Sequence, residues 1–303
     1  MRQMSYSVAI RTLGKGGEKY LRELKSLECQ TLQPQKIVAY IAEGYDLPKE
    51  TIGKEVYVRC KKGMVAQRAL PFDEINTDYI LLLDDDMELA PDACQKMMEA
   101  AVAADADCLV LDIYNEYNLG IKGKLVCWLV NSIPHHDKNW AIKICRSSHY
   151  RYNANPSEML RTMSGCGGAI LVKKSACQAI HFEDECWLDN MPYAFMEDQL
   201  FVYKFHLYGF KTFMHYGPKV THLDARTSHL RNKEKHDYMS KVNRYIVWHR
   251  SIFSTQSTTL QKMYAWFAYW SSELYQLLVS PIFCVKNRGL FPLYQVFTAN
   301  WGG

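Results

Sequence analysis

The chain of 303 residues lacks a C-x-x-C pair. Its 10 cysteines are scattered, which excludes the usual thiolate zinc sites and dithiol redox motifs. It lacks a clean apolar run long enough for a membrane span. The best stretch, Met263 to Val285, is interrupted by Glu273, Gln276 and Pro281. MRQMSYSVAI runs straight into a strand-like segment, so no secretory leader is expected. Reduced thiols and a cytoplasmic location are therefore expected. It lacks charge of one sign: the formal net charge is +4 and no long basic run occurs, so nucleic acid is not an expected partner. The phosphate-cradling spacings G-x-x-x-x-G-K-[ST] and G-x-G-x-x-G are absent, leaving GKGG at Gly14 to Gly17 as a weak signal. No internal repeat and no low-complexity tract interrupts the chain.

What is present is a globular composition, 48% hydrophobic and 22% charged, which argues against disorder. The length suits one large α/β domain, alone or with a small appendage. Apolar segments at Tyr6 to Ile10, Lys36 to Ala42, Glu55 to Arg59, Tyr79 to Leu83 and Asp107 to Ile113 read as strands. Helical spacing covers Glu18 to Leu27, Met64 to Ile75 and Pro91 to Ala104, with Pro91 suited to a first helical position. Strands alternating with helices predict a doubly wound, mostly parallel sheet. From Tyr114 to about Arg161 the pattern loosens. SGCGGAILVKK then reads as a glycine turn and a strand, Asp198 to Tyr208 as a helix, and Thr212 to Met214 and Lys219 to His222 as short extended pieces. Beyond about Asp224 the chain turns helical, basic and aromatic.

One strand ends in a peculiar way. In YILLLDDDMEL, four apolar residues run into Asp84, Asp85 and Asp86. Ligands bind at the carboxyl ends of strands in open α/β sheets. Three adjacent carboxylates repel one another, and a hard divalent cation relieves that repulsion through oxygen ligands. A solvated turn that caps the next helix is the structural alternative. Downstream, Glu197 and Asp198 precede an apolar helical run, as a general base or as an acidic first turn favoured by the helix dipole. In KVTHLD, His222 stands at the end of a short strand, where an imidazole as third ligand would suit Mn2+ better than Mg2+.

Taken in order, these segments resemble an inverting family 2 glycosyltransferase of the GT-A fold over about residues 5 to 225. VAIRTLGKGGEKYLRELKSLECQTLQPQKIVAY is similar to the family's first strand, helix and second strand. KKGMVAQRA resembles its Gly-x-x-x-Ala-Arg segment, ILLLDDD its D-x-D motif, GCGGAILVKK its acceptor-side glycine turn and MEDQLF its E-D motif. The resemblance implies a GT-A, Rossmann-like nucleotide-diphospho-sugar transferase fold with a C-terminal helical extension. Residues 1–225 would be the catalytic domain, split near 112 into a nucleotide-sugar half and an acceptor half, and 226–303 the extension. It implies Asp198 as base with Glu197 beside it. Thr12, Glu43, Arg68, Asp84 and Asp85 would hold the nucleotide-sugar, although the family usually has Asp where Glu43 stands and Asn where Ala69 follows Arg68. Gly167, Gly168 and Trp187 would face the acceptor, and Asp86, Asp84 and His222 would ligate Mn2+ or Mg2+. The donor would be UDP-, GDP- or dTDP-linked, and the acceptor a glycan or lipid-linked saccharide in the assembly of a polysaccharide. A sugar-phosphate nucleotidyltransferase and a non-catalytic glycan-binding protein on the same fold are the rival readings.

The C-terminal part carries two further expectations. Arg231, Lys233, Lys235, Lys241, Arg244 and Arg250 are basic, and Trp266, Trp270, Leu274, Leu277 and Leu278 share one helical face by spacing. That combination suits peripheral contact with a membrane surface. It equally suits packing on the catalytic domain or on a second subunit of a homodimer.

Overall fold

The computed structural model describes residues 5–112, 127–128, 132–224 and 233–279, with side chains of 233–238 and 275–279 outside that description. The expected strand end at Ile113, much of the loosely patterned stretch after it, Arg231, and the side chains of Lys233, Lys235, Leu277 and Leu278 therefore lie outside the described residues.

The frame is an eight-stranded sheet. Strands β1 (Tyr6–Thr12), β2 (Ile37–Ala42), β3 (Glu55–Cys60) and β4 (Tyr79–Asp84) form one side, and β6 (Cys108–Leu111), β9 (Met159–Arg161), β10 (Ala169–Lys173) and β11 (Thr212–His215) the other. Their order is β3-β2-β1-β4-β10-β6-β11-β9. The pairs β1 with β2, β1 with β4, β2 with β3 and β6 with β11 are parallel, whereas β10 runs antiparallel between β4 and β6. Two small antiparallel pairs stand apart: β5 (Met87–Leu89) with β12 (Val220–His222), and β7 (Ile142–Ile144) with β8 (Tyr150–Tyr152).

Period-2 alternation in the central strands feeds two cores. Ile80, Leu82, Ile170 and Val172 point into the layer built with α3 (Lys174–Ala179), the 3-10 helix Phe182–Asn190 and α4 (Glu197–Leu207). Tyr79, Leu81, Leu83, Ala169 and Leu171 point into the opposite layer, built with α1 (Glu18–Glu28) and α2 (Ala93–Ala104). The C-terminal part packs α5 (Lys233–Trp248), a π-helical turn His249–Phe253 and α6 (Thr259–Val279) around Trp248, Ile252 and Tyr269. Among the described residues, no helix is long and apolar enough to cross a membrane.

Most expected elements form within a residue or two of their expected ends. The helix over Met64 to Ile75 does not. Residues 63–69 make a single turn, closed by Gln67 N–H donating to Gly63 O and Ala69 N–H to Val65 O, before Pro71 ends it. The Asp189 carboxylate accepts from the Val65 and Ala66 amides at 2.9 Å each, so the backbone is held from across the molecule. Tertiary anchoring has overridden a local helical pattern.

Candidate active site

The strand order reverses beside β1, where β2 lies on one side and β4 on the other. Such a switch point opens a crevice at the carboxyl ends of the strands. β1 delivers Arg11 and Thr12 there, β2 delivers Glu43, and β4 delivers Asp84. Because β10 is antiparallel, its amino end reaches the same edge: Ala169 pairs with Leu83, so the turn Gly165 to Gly168 sits beside the aspartates. The Asp84 amide donates to Gly168 O at 3.2 Å. Helix α4 opens at this edge with Glu197 and Asp198 in its first turn.

At the centre lies a box of two arginines and two carboxylates. The parallel register sets Arg11 opposite Asp84, and their side chains form an ion pair. Arg11 Nη1 also donates to Glu197 Oε1 at 3.1 Å. Arg68, buried, pairs with Glu197 through Nε and comes within 4.0 Å of Asp84. Its guanidinium also lies 5.1 Å from the centre of the Phe201 ring. Glu197 is thus the buried anchor of both arginines.

Asp198 points the other way. Its Oδ2 accepts from the Gly167 amide at 3.0 Å and its Oδ1 from the Gln199 amide at 2.8 Å. Burial, with the Glu197 charge beside it, raises this carboxyl to about 6, although Arg68 and Arg11 oppose the shift. A base of that strength is poised to change state near neutral pH. A Cβ at Gly167 would lie 2.5 Å from Asp198 Cβ and 2.8 Å from Arg68 Nη2. The glycine therefore lets the turn close on the base and the arginine; the space beside its Cα is filled by protein.

The other two aspartates separate by environment. Asp85 is buried and accepts from the Thr12 hydroxyl at 2.5 Å. Burial pushes it up to about 6, against the Thr12 hydrogen bond and with the repulsion of Asp86 and Asp84. Asp86 turns to β12, where His222 Nε2 stands 3.2 Å from Asp86 Oδ2. The Leu223 amide donates to Asp86 O at 2.8 Å. The hydrogen bond to Asp86 raises the His222 imidazole above its ordinary range despite its burial. One carboxylate and one imidazole at this spacing fit a divalent cation that takes its remaining ligands from a diphosphate.

The expected three-ligand set is not brought together. Asp84 is engaged by Arg11, and among the described residues no three His, Cys, Asp or Glu side chains are grouped to hold a metal. Glu43 is exposed at the end of β2, its amide donating to Cys60 O at 2.8 Å. Trp187 lies in the 3-10 helix at the margin of a core, its Nε1 donating to Glu185 at 2.7 Å.

Two charged residues at this edge escaped the sequence reading. Arg11 looks like an isolated strand charge until the register sets it against Asp84. Glu23 is buried on α1. Burial and the charges of Asp85, Asp86 and Asp84 push its carboxyl well above the usual carboxylate range. Helical spacing placed Glu23 on α1 but gave no sign of its acidic neighbours.

Comparison with known proteins adds the decisive observation. The family model described as Glycosyl transferase family 2 matches residues 38–180. Over these residues, a little under half of the chain, the sequence matches glycosyl transferase family 2. The family 2 segment takes in β2 to α3, with the aspartate turn and the glycine turn inside it. The chain is also similar to the crystal structure of GalNAc-T7 with UDP, GalNAc and Mn2+, at a TM-score of 0.53 and 13% identity. The likeness covers 94% of this chain and 58% of that one, so the chain spans little more than half of that protein's length. It shows a shared GT-A fold. None of the curated protein sequences matches the chain.

Proposed function

We propose that the chain is a nucleotide-sugar glycosyltransferase that transfers a sugar from a nucleoside-diphosphate donor to a hydroxyl of a glycan or lipid-linked acceptor, inverting the anomeric carbon. The observation that carries this reading is Asp198: a half-buried carboxylate raised to about 6, held by the Gly167 amide at the carboxyl edge of a GT-A sheet. An acceptor hydroxyl is a weak nucleophile until a base takes its proton. Asp198 is that base, and one base acting opposite the leaving group gives inversion.

The rest of the edge serves the donor. Thr12, Glu43 and Asp85 flank the nucleoside side of the crevice, and Arg11 and Arg68 bring two guanidiniums to where the diphosphate would lie. Glu197 holds both arginines in place. Asp86 and His222 would hold Mn2+ or Mg2+, and such an ion would offset the charge that develops on the departing diphosphate. The Mn2+ and UDP in the GalNAc-T7 structure support that assignment. Asp84 serves here as the partner of Arg11. The acceptor enters beside Asp198 and the Gly167–Gly168 turn.

The test is donor turnover. UDP-, GDP- and dTDP-sugars are incubated with the protein and Mn2+, Mg2+ or EDTA, and released nucleoside diphosphate is read. Release of pyrophosphate instead would point to nucleotidyl transfer, and binding without release under every condition to a glycan-binding protein.

A further inference from the structure

Helix α6 has two faces. Ala265, Tyr269, Ser272 and Glu273 are buried, with Tyr269 stacked on Trp248 at a centroid distance of 4.3 Å. The opposite face carries Leu260, Met263, Tyr264, Phe267 and Leu274, all exposed, Leu260 at 77% and Phe267 at 65%. Their spacing draws an apolar stripe along the helix, continuous from Leu260 to Phe267 and resumed at Leu274 beyond Ser271. Of the described members of the face expected from sequence, Trp270 packs inward on the Trp248 cluster, while Trp266 and Leu274 are exposed. An exposed stripe of this kind marks an interaction site.

Charge says what covers it. Along α6 the charged residues are one base, Lys262, and one acid, Glu273. Glu273 is buried and ion-paired with Arg244. The charge that α6 itself offers to a partner is therefore positive, carried by Lys262. At the border of the stripe, the Arg146 guanidinium lies 4.9 Å from the centre of the Tyr264 ring. A second copy of the chain would set this cationic border against itself.

We propose that this face of α6 docks on an anionic lipid surface, with its aliphatic and aromatic side chains at the headgroup–acyl boundary and Arg146 against the phosphates. The dock is tied to the site. Asn243 of α5 donates to Tyr193 O at 2.9 Å and to Phe195 O at 3.1 Å, in the segment that leads into Glu197 and Asp198. Docking would hold the base at a fixed place near the surface, where a lipid-linked acceptor presents its hydroxyl. That purpose rests on the transferase reading; the docking itself does not.

The full chain is sedimented with vesicles of phosphatidylcholine alone and of phosphatidylcholine mixed with phosphatidylglycerol. Binding to the mixed vesicles, weakened by salt and reduced about tenfold or more by Met263→Glu/Phe267→Glu, is the expected result. A second variant, Leu260→Ser/Leu274→Ser, should weaken binding in the same direction, and circular dichroism checks that each variant keeps its helices. No binding by the wild type, or undiminished binding by a folded variant, overturns the proposal. A dimer in light scattering that these substitutions disperse, with no vesicle binding, overturns it in favour of a second copy. Calorimetric nucleotide binding is measured separately, so failure of the donor reading is told apart from failure of the dock.

Discussion

Asp198 and Glu197 are neighbours in sequence with opposite duties. Glu197 is spent on Arg11 and Arg68, whereas Asp198 meets only backbone amides and half-faces the crevice. Asp198→Asn should lower transfer about 10² to 10⁴-fold while leaving donor affinity near wild type in calorimetry. Because the base works deprotonated and its carboxyl is raised to about 6, the transfer rate should fall as pH drops through about 6 and level off above it. A pH–rate profile that is flat across that range would remove Asp198 from the role. Glu23 behaves differently: burial and the neighbouring aspartates push its carboxyl well above the usual carboxylate range, so Glu23→Gln should fold with unchanged or higher stability in urea. Asp198 was readable because an acidic pair ahead of an apolar helical run is a local pattern. Arg11 was not, because a guanidinium's partner is set by register between β1 and β4, which are separated by more than sixty residues of chain.

The elements were largely legible where period and punctuation agree. Leu81 to Leu83 and Ile170 to Val172 alternate between two cores, and any exchange that empties one of those places should show it: Leu82→Ala should cost about 2–5 kcal/mol in urea unfolding. The segment after β3 was misread because its conformation is fixed by distant groups. Asp189 holds the Val65 and Ala66 amides, and the buried Arg68 reaches Glu197 on α4. Arg68→Met should therefore destabilise by roughly 1–3 kcal/mol, since it removes one of the two buried partners of Glu197 while Arg11 remains. A loss below about 1 kcal/mol would mean that Glu197 is neutral or hydrated. The direction of β10 was equally hidden: nothing in AILVK says that it runs against β4, yet that reversal is what brings the glycine turn to the aspartates.

At the scale of the whole molecule, a family 2 segment at residues 38–180 is completed from both sides. Arg11 and Thr12 precede it, and Glu197, Asp198 and His222 follow it. The site exists only when β1, β4, β10, α4 and β12 converge, so its chemistry depends on the fold as a unit. The pair Asp86 and His222, proposed above to hold the cation, links β12 to the end of β4. His222→Ala should weaken Mn2+-dependent donor binding while leaving metal-free nucleotide binding unchanged in calorimetry. The measurement that tests the account most directly is release of nucleoside diphosphate from a panel of UDP-, GDP- and dTDP-sugars, with Mn2+, Mg2+ or EDTA, by wild type, Asp86→Ala and Asp198→Asn. The account predicts metal-dependent release from one donor class, lost in Asp86→Ala, with Asp198→Asn failing once an acceptor is supplied. Absence of both turnover and calorimetric nucleotide binding with every donor and metal would contradict it, and the three aspartates would then be a structural turn.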